Sequence, residues 1–143
     1  MSPQPLASVV ALLLLCCISL HSEAGLISDA VLRTYEEAVA NCSAQGGVLP
    51  TARNEAEVAQ LRKVVDPDGS SFWLDGREDE DGVYRWQAEP KERIRDDLWY
   101  EGHEPWCHKC CRVNIHFGDD VNDGKLFAMN CVFKAAFLCN IAG

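Results

Sequence analysis

Positive charge is scarce in this 143-residue chain. Thirteen Lys and Arg stand against 22 Asp and Glu, a formal net charge of −9. Non-specific nucleic-acid binding needs a basic face, so that class of function is disfavoured. Long apolar runs are equally scarce, and after Leu20 no segment is long and apolar enough to span a bilayer. There is no internal repeat and no low-complexity tract, which argues against solenoid and fibrous architectures. No Ser-His-Asp grouping or glycine-rich phosphate loop stands out.

What remains is an ordinary globular mixture, 48% hydrophobic and 24% charged, of a length that suits one domain. Eight cysteines in so short a chain point to disulfides if the chain is secreted. An apolar stretch from Leu6 to Leu20 precedes Ser22-Glu23-Ala24, which puts small residues at the −3 and −1 positions of a signal-peptidase site. No Lys or Arg precedes the stretch, so the amino terminus supplies its only positive charge. The expected division is therefore a signal peptide over residues 1–24 and a secreted domain over residues 25–143. The leader carries Cys16 and Cys17, leaving Cys42, Cys107, Cys110, Cys111, Cys131 and Cys139, an even set that allows three bridges.

Helical signals come first along the expected mature chain. Thr34-Tyr35-Glu36-Glu37 has capping-box form and leads into Ala38, Val39 and Cys42, with Gly46-Gly47 as a stop. A second box, Asn54-Glu55-Ala56-Glu57, opens a helix bearing Val58, Leu61, Val64 and Val65, ended by Asp66-Pro67-Asp68-Gly69. Strand signals follow: Phe72-Trp73-Leu74, then an acidic turn at Glu78 to Gly82, then Val83 to Trp86. Residues 87–109 lack periodicity and hold scattered aromatics and prolines, which marks a long functional loop. Arg112 to Phe117 alternates as a strand, Asn122-Asp123-Gly124 reads as a turn, and Ala135 to Cys139 as a buried strand. Helices followed by strands predict an α+β domain.

Together these residues resemble the C-type lectin-like domain family over about residues 30–140. Tyr35-Glu36-Glu37-Ala38 with Cys42 is similar to the family's first helix and cysteine, and Gly46-Gly47-Val48-Leu49 to its Gly-Gly-x-Leu. Phe72-Trp73-Leu74-Asp75-Gly76 stands where the family has its Trp-Ile-Gly-Leu strand. Trp99, Gly102 and Glu104-Pro105 resemble the loop ending in Glu-Pro-Asn, and Cys131 with Cys139 the last two cysteines. The resemblance implies two helices packed on small antiparallel sheets, a long loop and a disulfide-stapled base. It implies bridges from Cys42 to Cys139 and from Cys131 to a cysteine at the end of the loop. Either Cys110 or Cys111 suits the second, with Cys107 taking the other; Cys111–Cys131 with Cys107–Cys110 is the preferred pairing.

The resemblance further implies a binding module rather than an enzyme, with carbohydrate or a glycoprotein as ligand and the long loop as its site. Protein-ligand recognition by the same loop is the alternative. Family members that bind sugar use calcium, which needs six to eight oxygen ligands. Glu104 matches the first ligand, but Trp106 stands where the family has Asn or Asp, and Leu126-Phe127-Ala128 where it has Trp-Asn-Asp. Val121-Asn122-Asp123 offers a displaced Asn-Asp pair, although an ordinary Asn-Asp-Gly turn is preferred. The acidic run Glu78 to Asp81 reads as a solvated hairpin tip. No cofactor is therefore expected. Aromatic faces stack on sugar rings, so Trp106 is the leading contact, with Glu104, and with Asn114 and His116 on the strand face opposite Val113 and Ile115.

Trp106-Cys107-His108-Lys109-Cys110 also has the Cys-x-x-Cys spacing of thiol-disulfide oxidoreductases. That chemistry wants a strand before the motif and a helix after it, whereas a strand-like segment follows here. Asn41-Cys42-Ser43 has glycosylation form, but a bridged Cys42 makes a poor acceptor.

Overall fold

Thr34 opens the first helix as its capping box predicts. Its Oγ1 accepts the Glu37 N–H at 3.3 Å while Glu37 Oε1 accepts the Thr34 N–H at 3.2 Å, an exchange that stabilises a helix start by about 1 kcal/mol. The structure is a computed structural model describing residues 25–65, 70–102 and 105–142. The expected leader, the turn at 66–69 and the residue Glu104 lie outside the described residues. The elements run β1 (Gly25–Arg33), α1 (Tyr35–Ala44), β2 (Gly47–Val48), α2 (Glu55–Arg62), β3 (Ser70–Glu78), β4 (Tyr84–Trp86), β5 (Cys111–Phe117), β6 (Lys125–Asn130) and β7 (Ala135–Ile141). At α2, Asn54 caps the Glu57 N–H at 2.9 Å, but the Glu57 carboxylate turns to the Thr51 hydroxyl at 2.8 Å, so this box is half formed.

One mixed seven-stranded sheet replaces the separate small antiparallel sheets expected. Its order is β1-β7-β3-β5-β6, with β2 joined to β7 and β4 to β3. The mixed character comes from β3 and β7, which pair in parallel with Phe72 opposite Ala136 and Trp73 opposite Phe137. Such a pair needs a long crossover, and everything from β4 through β6 supplies it.

Each face of the sheet carries a core. The larger contains Leu61, Leu74, Trp86, Trp99, Ile115 and Leu126, and the smaller joins Ala38 and Cys42 of α1 to Trp73 and Phe137. Trp73 and Trp86 are buried, in line with their strand positions, and Trp99 is buried as well. The Trp73 Nε1–H donates to the Arg33 carbonyl at 2.8 Å, while the Trp99 ring meets Tyr84 edge-on at 5.1 Å. Gly76 fits where no side chain could, since a Cβ there would lie 2.8 Å from Val113 Cγ2.

The long segment expected to lack periodicity is anchored at intervals. It forms 3-10 turns at Asp96–Leu98 and Tyr100–Gly102, and sinks Ile94, Leu98 and Trp99 into the larger core. All six expected cysteines are bridged. Cys42–Cys139 ties α1 to β7 as anticipated. The other two bridges correct the preferred pairing: they are Cys107–Cys111 and Cys110–Cys131. Neighbouring residues point to opposite sides of a strand, so only one of Cys110 and Cys111 can face Cys131. The selection is local. Cys110 adopts a left-handed φ of 51° and its carbonyl accepts the Cys131 N–H at 2.9 Å, whereas Cys111 begins β5 with its side chain buried.

Candidate functional site

Pro105 and Trp106 lead into a short ring closed by Cys107–Cys111. The ring ends at the first residue of β5, so its geometry is fixed to the sheet. Trp106 is 84% exposed, the largest aromatic surface offered by the described residues. Its ring lies 4.0 Å from that of His108, edge to face. An exposed indole costs the fold apolar hydration and gains little from a single imidazole contact.

Asn114 and His116 do not gather around Trp106. Asn114 is fully buried, which corrects its expected place on the ligand surface. It does share a face with His116, but on that face Trp73 and Phe127 lie directly across from it on β3 and β6. Its Nδ2–H donates weakly to the Arg112 carbonyl at 3.4 Å, and its Oδ1 has no partner among the described residues. His116 sits five residues beyond Cys111, about 17 Å along the strand. There its Nε2 pairs with Asp120 Oδ2 at 2.9 Å. It lines a cleft of about 360 Å³ with Tyr100, Asp120, Asn122, Lys125 and Phe127. Sequence reading gives Phe127 no role beyond lacking a ligand oxygen. Alternation against buried Leu126 is the signal that turns it toward this cleft.

The described residues do not suit calcium. Trp106 and Phe127 bring no oxygen to the positions where the family has its ligands. Asn122-Asp123-Gly124 belongs to a turn with Gly124 at φ 74°, and Asp123 is held by Arg62 at 2.6 Å. At the hairpin tip, Asp79 and Asp81 pair with Arg85 at 3.5 and 2.9 Å. Among the described residues no group of three His, Cys, Asp or Glu side chains could hold a metal ion. The oxidoreductase alternative fails on pairing, because Cys107 and Cys110 are bonded to other cysteines and a strand follows them.

Several solved structures share this architecture. The C-type lectin domain of murine dendritic cell inhibitory receptor 2, solved in complex with N-glycan, superposes with a TM-score of 0.68 at 15% identity, covering 82% of this chain and 88% of that one. Ovocleidin-17 of the Gallus gallus eggshell calcified layer gives 0.63 at 17% identity, with 87% and 96% covered. A calcium-independent type II antifreeze protein gives 0.55 at 20% identity, with 84% and 87% covered. At these identities the likeness concerns the fold alone. No curated protein sequence matches the chain significantly. The family model described as the lectin C-type domain matches residues 31–141, nearly the whole of the described fold, and the chain belongs to that family.

Proposed function

We propose that this protein is a secreted, non-enzymatic binding module that recognises carbohydrate through its long loop without calcium. The observation that carries the reading is Trp106. A large aromatic face, 84% exposed, stands on a loop that a disulfide fastens to the sheet. Sugar rings present apolar C–H faces that stack on such a surface, and His108 beside it offers a polar edge to hydroxyls. Rigid support lowers the entropy lost on binding. Two neighbours support parts of the reading: one fold relative was solved with an N-glycan, and another is described as calcium-independent.

The test is a glycan array probed with protein purified from a secreting host, with and without EDTA. At least one glycan should bind, with a signal that survives EDTA and drops in Trp106→Ala. A folded protein that binds no glycan, or binds only with calcium, overturns the proposal. Amino-terminal sequencing of the secreted product should begin at Gly25.

A further inference from the structure

β1 runs along one outer edge of the sheet. It pairs with β7 on one side and, among the described residues, with no strand on the other. The opposite edge strand, β6, is met by Trp99, which bridges to Leu126. An open edge is a template for another chain, and proteins commonly guard it with Lys or Pro. Gly25–Arg33 contains neither. Instead it exposes Ile27, Val31 at 52% and Leu32 at 59%.

Pairing with β7 is regular from Gly25 to Asp29 and resumes at Arg33, so Ala30, Val31 and Leu32 have no partner residue on β7. Ala30 and Leu32 line a cleft of about 390 Å³ with Ser71, Phe72 and Ala136. Four steps along β1 match two along β7, and both counts are even. Asp29, opposite Phe137, and Arg33, opposite Ala135, therefore project to the same side, with Val31 between them. That side is the one α1 covers, since Ala135 and Phe137 share a core with Ala38 and Cys42. Both charges have capacity left. Arg33 reaches Glu37 only at 3.9 Å, and its Nε–H is buried without a partner among the described residues. Asp29 accepts the Val31 N–H at 2.9 Å on one oxygen and pairs with no cation among the described residues.

We infer that β1 is a homodimer interface, at which two copies of the chain pair antiparallel about a two-fold axis through Val31. Under that symmetry residue 29 of each copy faces residue 33 of the other, so an Asp29–Arg33 ion pair forms twice. Val31 meets Val31, and Leu32 meets Ala30. With the two Val31 residues as a non-hydrogen-bonded pair, their Cα atoms lie about 4.5 Å apart and the ladder bonds fall to Ala30 and Leu32. The Val31 N–H then keeps its bond to Asp29. Charge selects this register: an axis through Asp29 sets carboxylate against carboxylate, and one through Arg33 sets guanidinium against guanidinium. The interface is isologous, so association closes at two copies. The paired stretch is short, so the dimer dissociates on dilution.

Analytical ultracentrifugation of the purified protein over a range of micromolar concentrations tests this, and should show a monomer–dimer equilibrium. Val31→Lys should weaken association at least tenfold. Asp29→Arg and Arg33→Asp should each weaken it several-fold, and the double exchange should restore most of the loss, because the ion pair re-forms with its signs reversed. Val31→Cys reads the register directly. The chain's six described cysteines are all bridged, so the new thiol should oxidise in air to a covalent dimer. It should do so at least tenfold faster than Val121→Cys, a 92% exposed site in the turn after β5. Circular dichroism melts identify any variant that fails to fold; Val31 is exposed, and its variants keep the test decisive. A protein that sediments as a monomer throughout, or a dimer that Val31→Lys leaves intact, overturns the inference. So do single charge variants that associate like wild type, a double exchange that restores nothing, or equal rates of cross-linking at positions 31 and 121.

Discussion

Arg62 of α2 reaches across to the turn between β5 and β6 and holds Asp123, with Nη1 2.6 Å from Oδ2. The Gly118 N–H donates to the same carboxylate at 3.1 Å. Hydrogen bonding from the guanidinium keeps the Asp123 carboxyl below its usual range. Asp123 is the better half of the displaced Asn-Asp pair that the sequence offers to calcium, and its oxygens are committed to a fixed cation. Asp120 is likewise engaged by His116 at 2.9 Å. A calcium ion entering here would have to displace a guanidinium and then find most of its ligands elsewhere. The first prediction follows. A ligand at 100 times its dissociation constant adds about 2.7 kcal/mol, roughly 10 °C for a domain of this size. Millimolar calcium should produce no resolvable shift in the thermal midpoint. A rise of several degrees, reversed by chelator, would refute this.

Asp75 in β3 gives a prediction about pH. Burial pushes its carboxyl up to about 6 from an ordinary 3.8, against the opposing pull of the Ala88 N–H and of Arg53, Arg77 and Lys91. The folded state therefore holds this proton more tightly than the unfolded chain does. Where the native state binds more protons, stability falls as pH rises. Asp75 should thus cost stability progressively between about pH 4 and 6, with no further change above that window. Asp75→Asn should flatten this part of the pH–stability curve and melt closer to wild type at pH 4.5 than at pH 7.5. Parallel curves for the two proteins would assign the titration to another group.

Where a side chain reports its burial by spacing, the fold was legible. Thr34 and Glu37 announced α1, Phe72-Trp73-Leu74 announced the middle of β3, and the Cys42–Cys139 bridge followed from the family resemblance. β1 was not legible: it is an edge strand, with Ile27, Val31 and Leu32 at least 40% exposed, so no alternation marks it. β6 was obscured because Leu126-Phe127-Ala128 was read only for the calcium-ligand oxygens it lacks, and not as a strand. In the site, Trp106 stood out as an aromatic after proline in a loop. Asn114 misled, because alternation reports which face a residue takes but not whether that face is covered.

The bridges differ sharply in what they should contribute. Cys42–Cys139 joins residues 97 apart and Cys107–Cys111 residues only 4 apart. The chain-entropy model gives about 4.7 kcal/mol for the first and about 2 kcal/mol for the second. Replacing Cys42 and Cys139 by Ser should abolish secretion of folded protein or lower the midpoint severely. The Cys107/Cys111 double Ser variant should remain folded, with its loss showing instead in ligand affinity as the Trp106 loop is released. Peptide mapping without reduction should recover Cys110 linked to Cys131. A Cys111–Cys131 peptide as the major species would contradict the pairing.

Trp106 and Trp73 set the final prediction, since they are the same residue type in opposite circumstances. Trp73 is fully buried, with its Nε1–H on the Arg33 carbonyl at 2.8 Å and its ring 5.7 Å from Tyr35. Truncating it opens a cavity beside α1 and orphans a carbonyl, and should cost about 3–5 kcal/mol. Trp106, 84% exposed, meets only His108 at close range among the ring contacts of the described residues. Its truncation removes little burial, so Trp106→Ala should shift stability by less than about 0.5 kcal/mol. Stability and binding then separate. Trp73→Ala should lower the melting midpoint by many degrees and reduce secretion, while Trp106→Ala should melt like wild type and lose glycan binding at least several-fold. Trp106→Phe distinguishes an aromatic contact from loss of bulk, because a smaller ring should retain more of the binding than Ala does. If Trp106→Ala destabilises as much as Trp73→Ala and the surviving folded protein binds normally, Trp106 covers the Cys107–Cys111 bridge as part of the fold, and the ligand surface lies elsewhere, with the Tyr100–Phe127 cleft as the next place to test.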